Sequence, residues 1–285
     1  MNHLAYRARP RVTDPIVVCA FAGWNDGGEG ATTTVRLIRE QWGGRRFASI
    51  DPEEFYDFQV HRPTVRLVDG DTRRLDWPRN VFSHARVGGR DLVLFLGVEP
   101  NLRWRTYCDQ ILRVCSDLGG ADVLVTLGAF LADVPHTRPA PVTASSTDPR
   151  WSGRSDVVAA RYEGPTGIVG VLNDRAAKAG VPSMSLWAAS PHYLPQTANP
   201  KVSLALMERL RELVGLEIDT DAVERSARTW EQEVTEAIDE DGNLAYYVRR
   251  LEEATEDGAM PEVPSGEDLA AELERYLREH GGPEE

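Results

Sequence analysis

The residues best suited to chemistry fall in a glycine-rich turn, Ala22-Gly23-Trp24-Asn25-Asp26-Gly27-Gly28-Glu29-Gly30. The turn follows the apolar run Ile16 to Phe21 and leads into a helix-period pattern of Ala31, Val35, Ile38 and Trp42. Strand, glycine turn and helix is the layout in which backbone N–H groups at a helix start cradle a phosphate. This turn lacks the Lys-Ser/Thr of a phosphate-binding loop and the spacing of a dinucleotide fingerprint. Asp26 and Glu29 also stand where the anion would go. Asp26 is expected to cap the helix and Glu29 to reach back, an Asp version of the capping box. Two carboxylates at the positive end of a helix repel phosphate. A neutral or cationic ligand, or a protein partner, is less disfavoured.

Three further loops follow apolar runs: Gly97-Val98-Glu99-Pro100-Asn101, Thr126-Leu127-Gly128-Ala129-Phe130 and Trp187-Ala188-Ala189-Ser190-Pro191-His192-Tyr193. In an open parallel sheet such loops gather along one edge. There Trp24, Asn25, Asp26, Glu99, Thr126, Trp187, His192 and Tyr193 would line a cleft or a partner surface. Strand-end loops carry polar residues in any such sheet, so a ligand is not required by the pattern. Glu99 is the best isolated acid or base, and it could equally cap the helix that starts near Asn101. Ser190 and His192 lie two apart on a proline-containing loop, a poor geometry for nucleophile and base, and no Gly-x-Ser-x-Gly elbow is present. Asp133 and His136 have no third ligand at a metal-site spacing. No catalytic residue, metal or cofactor is assigned.

The elements that must position these groups read as alternating strands and helices. Strands are expected at Ile16–Ala22, Phe47–Ile50, Val65–Val68, Asp91–Gly97, Asp122–Leu127, Gly167–Leu172 and Ser183–Ala188. The unbroken runs at 92–96 and 123–125 indicate strands buried on both faces. Helices are expected at Gly27–Trp42, Leu102–Leu118, Asp174–Ala179 and Pro200–Val214, the last with Asn199 as cap, Pro200 in its first turn and Gly215 as its stop. This alternation implies a mostly parallel sheet covered on both faces. Pro135 to Arg154 reads as a long loop, of the kind that is usually functional or mobile. Beyond Gly215, Val223, Ala227, Trp230, Val234 and Ile238 form one helical stripe, and Leu244, Tyr247, Val248 and Leu251 a second, predicting a helical hairpin. A linker, Asp257 to Ser265, precedes a last amphipathic helix with Leu269, Leu273, Tyr276 and Leu277 on one face.

Composition sets outer limits. The chain has 285 residues, 41% of them hydrophobic, enough for one large α/β domain with an appendage. No apolar run is long enough to span a bilayer, and Met1 to Arg11 has no apolar stretch of a signal peptide. A cytoplasmic protein is expected, with Cys19, Cys108 and Cys115 as core thiols in a reducing compartment. The net charge of −13 is unevenly placed. Residues 217–285 carry 22 acidic residues against 6 arginines, net −16, and residues 1–216 carry 23 against 26 basic ones, net +3. The expected division is therefore an α/β core at 1–216 and an acidic helical extension at 217–285, whose charge disfavours nucleic acid and anionic membranes. Trp24, Trp77, Trp151 and Tyr193 lie in expected loops or turns, where exposed aromatics favour protein contact. Trp104 and Trp230 lie on helix stripes and are expected in the core or between helices.

The segments Phe21 to Gly28, Leu94 to Pro100, Leu127-Gly128-Ala129 and Gly164-Pro165-Thr166-Gly167-Ile168 together resemble the proteasome assembly chaperone 2 family in its actinobacterial branch, over roughly Pro15 to Val214. The resemblance implies a three-layer α/β/α fold similar to nucleoside phosphorylases and related hydrolases. It also implies a non-enzymatic, protein-binding role, with proteasome core subunits as partners and self-association, a trimer by family analogy. Some relatives dock through a terminal hydrophobic residue, tyrosine and one further residue. This chain ends Gly281-Gly282-Pro283-Glu284-Glu285, so that docking mode is not expected. The alternative is a small-molecule binder or enzyme, nucleoside- or nucleotide-related, using the cleft at the strand carboxyl ends.

Overall fold

The computed structural model describes residues 3–146, 148–158, 162–195 and 197–256. Its centre follows from the unbroken apolar runs. Along β2 (Ile16–Ala22), Ile16, Val18 and Ala20 enter one core cluster, and Val17, Cys19 and Phe21 enter another on the opposite face. β7 (Arg90–Val98) splits in the same way, Leu92 and Leu94 against Val93 and Phe95. Strand side chains alternate between faces, so a strand apolar at every position needs cover on both.

The main sheet has eight strands in the order β1 (Leu4–Tyr6), β3 (Arg45–Ile50), β6 (Asn80–Val87), β7, β2, β8 (Val123–Ala132), β10 (Ser183–Pro191) and β9 (Val142–Ser146). The four strands β7, β2, β8 and β10 run parallel, and the outer strands on both sides are antiparallel to their neighbours. The expected parallel sheet is thus the middle of a wider one. A separate two-stranded ribbon, β4 (Thr64–Val68) with β5 (Thr72–Asp76), is inserted between β3 and β6.

On one face lie α1 (Gly30–Gln41) and α5 (Pro200–Val214), with Ala31, Val35, Ile38, Val202, Leu206 and Leu210 in the core. The two helices approach so closely that a Cβ on Gly30 would come within 2.1 Å of Val202 Cγ1. On the other face lie α2 (Trp104–Asp117) and α4 (Ile168–Lys178), which bring Tyr107, Cys108, Ile111, Cys115, Ile168, Val169 and Leu172 to the second cluster. The three cysteines are buried and free. α5 begins and ends where its caps predict, with Asn199 accepting from the Lys201 amide and Gly215 at φ 67°.

Several expectations are corrected. Gly167–Leu172 is not a strand but the start of α4, which also absorbs the short helix expected at Asp174–Ala179. The β-branched Ile168, Val169 and Val171 imitate a strand, yet Ile168, Val169, Leu172 and Ala176 are buried at helical spacing. The long loop contains β9 and the short α3 (Pro149–Ser152). β8 and β10 run several residues past the ends expected for them. β1, β5 and β6 lacked a clear signal. β6 is antiparallel, and buried Ser83, half-buried His84 and exposed Arg86 interrupt its apolar pattern.

The hairpin forms as α6 (Asp221–Asp239) and α7 (Gly242–Glu256). Val223, Ala227, Trp230, Val234 and Ile238 are buried, and Trp230, Val234 and Ile238 pack with Ala245, Val248, Tyr193 and Leu194. The segment entering the hairpin joins the body, since Leu216, Ile218 and Val223 belong to the α5-side core. The linker from Asp257 and the amphipathic helix expected after Ser265 lie outside the described residues.

Candidate functional site

The glycine-rich turn is closed by its own carboxylate. A 3-10 turn at Gly27–Glu29 separates Asp26 from α1. Asp26 Oδ1 therefore accepts from the amides of Ala31 and Thr32, at 2.8 and 3.1 Å, and Oδ2 accepts from the Thr32 hydroxyl. The expected cap is present, one turn further along than a simple N-cap. Glu29 does not reach back. It sits in the left-handed region at φ 50° with no capping bond from its side chain. Burial pushes the Asp26 carboxyl up to about 6, against the lowering effect of its Thr32 and Ala31 donors. Because the folded value exceeds the ordinary 3.8, this stabilising contribution is fullest below 3.8 and is lost as pH rises through about 6. Asp26→Asn keeps the Oδ1 acceptor and removes the buried charge, so its melting temperature at pH 7 should equal or exceed that of the parent. Asp26→Ala should lower stability by about 1–2 kcal/mol. Thermal melts of both variants at pH 5 and pH 7 check this.

Asn25 is only 1% exposed, contrary to its expected place at an open rim. Its Nδ2 donates to Glu99 Oε1 at 2.7 Å, and its carbonyl accepts from the Ala129 amide at 2.8 Å. The same Glu99 oxygen accepts from the amide of Ile168 at 2.8 Å. Glu99 thus caps α4, a helix distant in sequence, rather than α2 directly after it. Burial raises the Glu99 carboxyl, while the donors from Ile168, Asn25 and Trp24 hold it down. Gly167 completes the junction, because a Cβ there would come within 2.2 Å of Asn25 Oδ1. The ends of β2, β7 and β8 and the start of α4 are therefore tied by one amide and one carboxylate. Trp24 beside them is half-buried.

Two expected cleft residues, placed near the ends of their strands, lie well inside them instead. Thr126 is fully buried in β8, with its hydroxyl 3.1 Å from Ser185 Oγ and accepting from Asn173 Nδ2 at 2.7 Å. Trp187 lies in the middle of β10, half-buried, with its ring covering Gly128 and tilted against Phe130. The reason is the extra length of β8 and β10, which carries the true strand ends beyond both residues.

His192 and Tyr193 do lie at the strand end, and the helical hairpin packs over them. Rings of His192, Tyr193 and Tyr247 meet edge to face, with centroids 5.6 to 6.1 Å apart. His192 Nδ1 lies 3.0 Å from Asp133 Oδ1, while Tyr247 donates to the same carboxylate at 3.2 Å. Ser190 is fully buried and accepts from Asn199 Nδ2 at 3.2 Å, so it is not paired with His192. Among the described residues no cluster of three or more His, Cys, Asp or Glu could hold a metal. Surface hollows occur on the hairpin, one lined by Thr137, Arg138, Arg249, Glu252 and Glu253, another by Arg228, Glu231, Gln232, Thr235 and Glu236.

The residue that sequence reasoning undervalued is His136. It is 2% exposed and links body to hairpin. Its amide donates to the Tyr193 hydroxyl at 2.8 Å, its Nδ1 lies 2.9 Å from that hydroxyl, and its Nε2 lies 3.0 Å from Thr235 Oγ1. Lys201 donates to the His136 carbonyl and pairs with Glu231 of the hairpin, and Thr137 donates to Glu252. The network is satisfied by a neutral ring that accepts at Nδ1 from tyrosine and donates at Nε2 to threonine. Burial, then the Lys201 charge, lowers the His136 pKa from 6.5. A lowered folded value means that the contribution is complete above about 6.5 and is lost as pH falls from there through the folded value. Amide protection in residues 221–256, measured against the intrinsic exchange rate at each pH, should therefore fall between pH 7 and pH 5, and His136→Gln should flatten that change.

The expected surface aromatics divide. Trp77 is 41% exposed, whereas Trp151 is 8% exposed and buried in the core. Trp104 packs against the α2-side core and Trp230 against the hairpin core, as their helix stripes predict.

The PAC2 family model matches residues 20–238 of the chain. A crystal structure of a PAC2 family protein from Streptomyces avermitilis is similar at 46% identity, covering 82% of this chain and 100% of that one, with a TM-score of 0.76. A Mycobacterium tuberculosis protein described as a proteasome-assembly chaperone homologue is similar at 45% identity, covering 82% of this chain and 99% of that one, with a TM-score of 0.75. PbaB of Pyrococcus furiosus, described as an archaeal proteasome activator, shares the fold at 19% identity, covering 82% of this chain and 97% of that one, with a TM-score of 0.63. No curated protein matches the chain.

Proposed function

The chain belongs to the PAC2 family, and from that premise we propose that it is a non-enzymatic assembly protein that binds subunits of the proteasome core particle. The observation that carries this reading is the 45% identity, over nearly the whole of that chain, to a protein described as a proteasome-assembly chaperone homologue. The geometry supports it. Asn25 and Glu99 are engaged with each other and with α4, and the hairpin packs over His192 and Tyr193. Asn25 Nδ2 and Glu99 Oε1 are thus engaged in holding the fold, Asn25 Oδ1 being left buried without a partner, and the ligand-binding alternative gains no support.

The partner surface proposed is the strand-end edge. Half-buried Trp24 and Trp187 are its accessible members, His192 and Tyr193 lie at its border with the hairpin, and buried Asn25, Asp26 and Thr126 with half-buried Glu99 hold it in shape. The acting form is a cytoplasmic homo-oligomer, with a trimer as the expected number. Among the described residues no helix is long and apolar enough to cross a membrane, and the acidic extension disfavours nucleic acid. Adding the protein to a reassembly reaction of core subunits from the same organism should raise the yield of complete particles. An unchanged yield and rate over a range of stoichiometries would overturn the proposal.

A further inference from the structure

The ribbon β4–β5 stands off the body. All ten of its strand positions are half-buried to exposed without either face reaching the core, and it includes Val65 at 48%, Leu67 at 65% and Leu75 at 51% exposure. Cross-strand register sorts its side chains. Val65 pairs with Leu75 and Leu67 with Arg73, on one face, while Arg66 pairs with Arg74 and Thr64 with Asp76 on the other. Trp77, two residues beyond Leu75, extends the apolar face and stacks edge-on with Phe58 at 4.7 Å. A two-stranded ribbon is at best marginally stable in water, so four large apolar side chains on one open face call for a cover.

The charge of the ribbon says what kind of cover fits. Residues 60–79 carry Arg62, Arg66, Arg73, Arg74 and Arg79 against Asp69, Asp71 and Asp76. Arg66 and Arg74 share the carboxylate of Asp76 with Arg79 on the opposite face, so Arg73, across from Leu67, is the strand arginine on the apolar face itself. Pairing two such ribbons face to face would bring like charges together. The complementary surface is acidic and apolar, and the chain itself contains one. Residues 257–285 carry nine acidic residues against two arginines, and Leu269, Leu273, Tyr276 and Leu277 recur at helical spacing.

The topology puts the two within reach. The ribbon joins the end of β3 to the start of β6, and these lie at the same edge of the sheet as the carboxyl ends of β8 and β10. The hairpin packs at that edge, with Glu252 of α7 bonded to Thr137 just beyond β8. β6 and β8 are three strand spacings apart, about 14 Å, and residues 257–264 can span about 27 Å when extended. We propose that residues 265–279 dock on the Val65, Leu67, Leu75 and Trp77 face of the ribbon in the same chain. Tethering favours the same chain over a neighbour, since a short linker holds the segment at an effective concentration near millimolar.

Two measurements on the full chain test this. The native cysteines are all buried, so a Leu75→Cys/Leu273→Cys double variant can be oxidised without competing thiols. The intrachain product should exceed that of an Arg74→Cys/Leu273→Cys control by about fivefold or more, given the tethered concentration. Equal yields, or disulfide-linked dimers in place of the intrachain product, would overturn the proposal. In parallel, amide exchange at Leu67 and Leu75 should quicken about tenfold when the chain is stopped after Glu256, with β2 and β8 unchanged as the folding control. Unchanged exchange in the ribbon would also overturn it.

Discussion

Glu99→Ala should lower global stability by about 3 kcal/mol, because it strands buried donors on Asn25 and Ile168 at once. Both donors meet the same carboxylate oxygen, so Glu99→Gln retains an acceptor at the junction and should cost only about 1 kcal/mol. The ordering distinguishes a structural clamp from a group held for its charge. If Glu99 served ligand chemistry through its charge, glutamine and alanine would be equally damaging to function, and neither need unfold the protein. Urea unfolding monitored by circular dichroism gives the two values directly. The α4 amides near Ile168 should be the first to lose protection in the alanine variant, because Glu99 caps that helix.

The second large effect concerns the hairpin. Trp230→Ala removes the largest buried side chain of the cluster that holds α6 and α7 on Tyr193 and Leu194, at a cost of about 3 kcal/mol. The Trp230 indole Nε1 is buried without a hydrogen-bond partner, so Trp230→Phe forfeits no such bond and should cost about 1 kcal/mol. The loss should be local. Residues 221–256 become protease-sensitive and exchange faster, while β2, β7 and β8, with their two-sided core, keep their protection. A uniform loss of protection across sheet and hairpin would mean that the hairpin is integral to the body's folding unit.

Sequence and structure agree where a signal is local. β2 is legible to the residue because it is apolar on both faces, and α5 because Asn199, Pro200 and Gly215 mark both ends. The hairpin stripes are equally plain, since every expected position of α6 is buried. The failures come from partners far along the chain. Asn25 is polar in a glycine turn, a pattern that suggests exposure, and it is buried by a glutamate 74 residues away. His136 acquires its role from Tyr193 and Thr235, 57 and 99 residues distant. Thr126 and Trp187 are misplaced by a different cause, because nothing in a strand's own sequence marks how far its neighbours extend the ladder. The start of α4 is misread because three β-branched residues open a helix whose stripe is completed only at Leu172 and Ala176.

Binding of purified proteasome core subunits to the immobilised full chain tests the central claim most directly. The expected result is retention at micromolar concentration, weakened by substitution of Trp24 and retained in Asp26→Asn, which leaves the surface shape unaltered. Absence of retention at tens of micromolar, in a preparation whose melting curve shows a fully folded protein, would contradict the account.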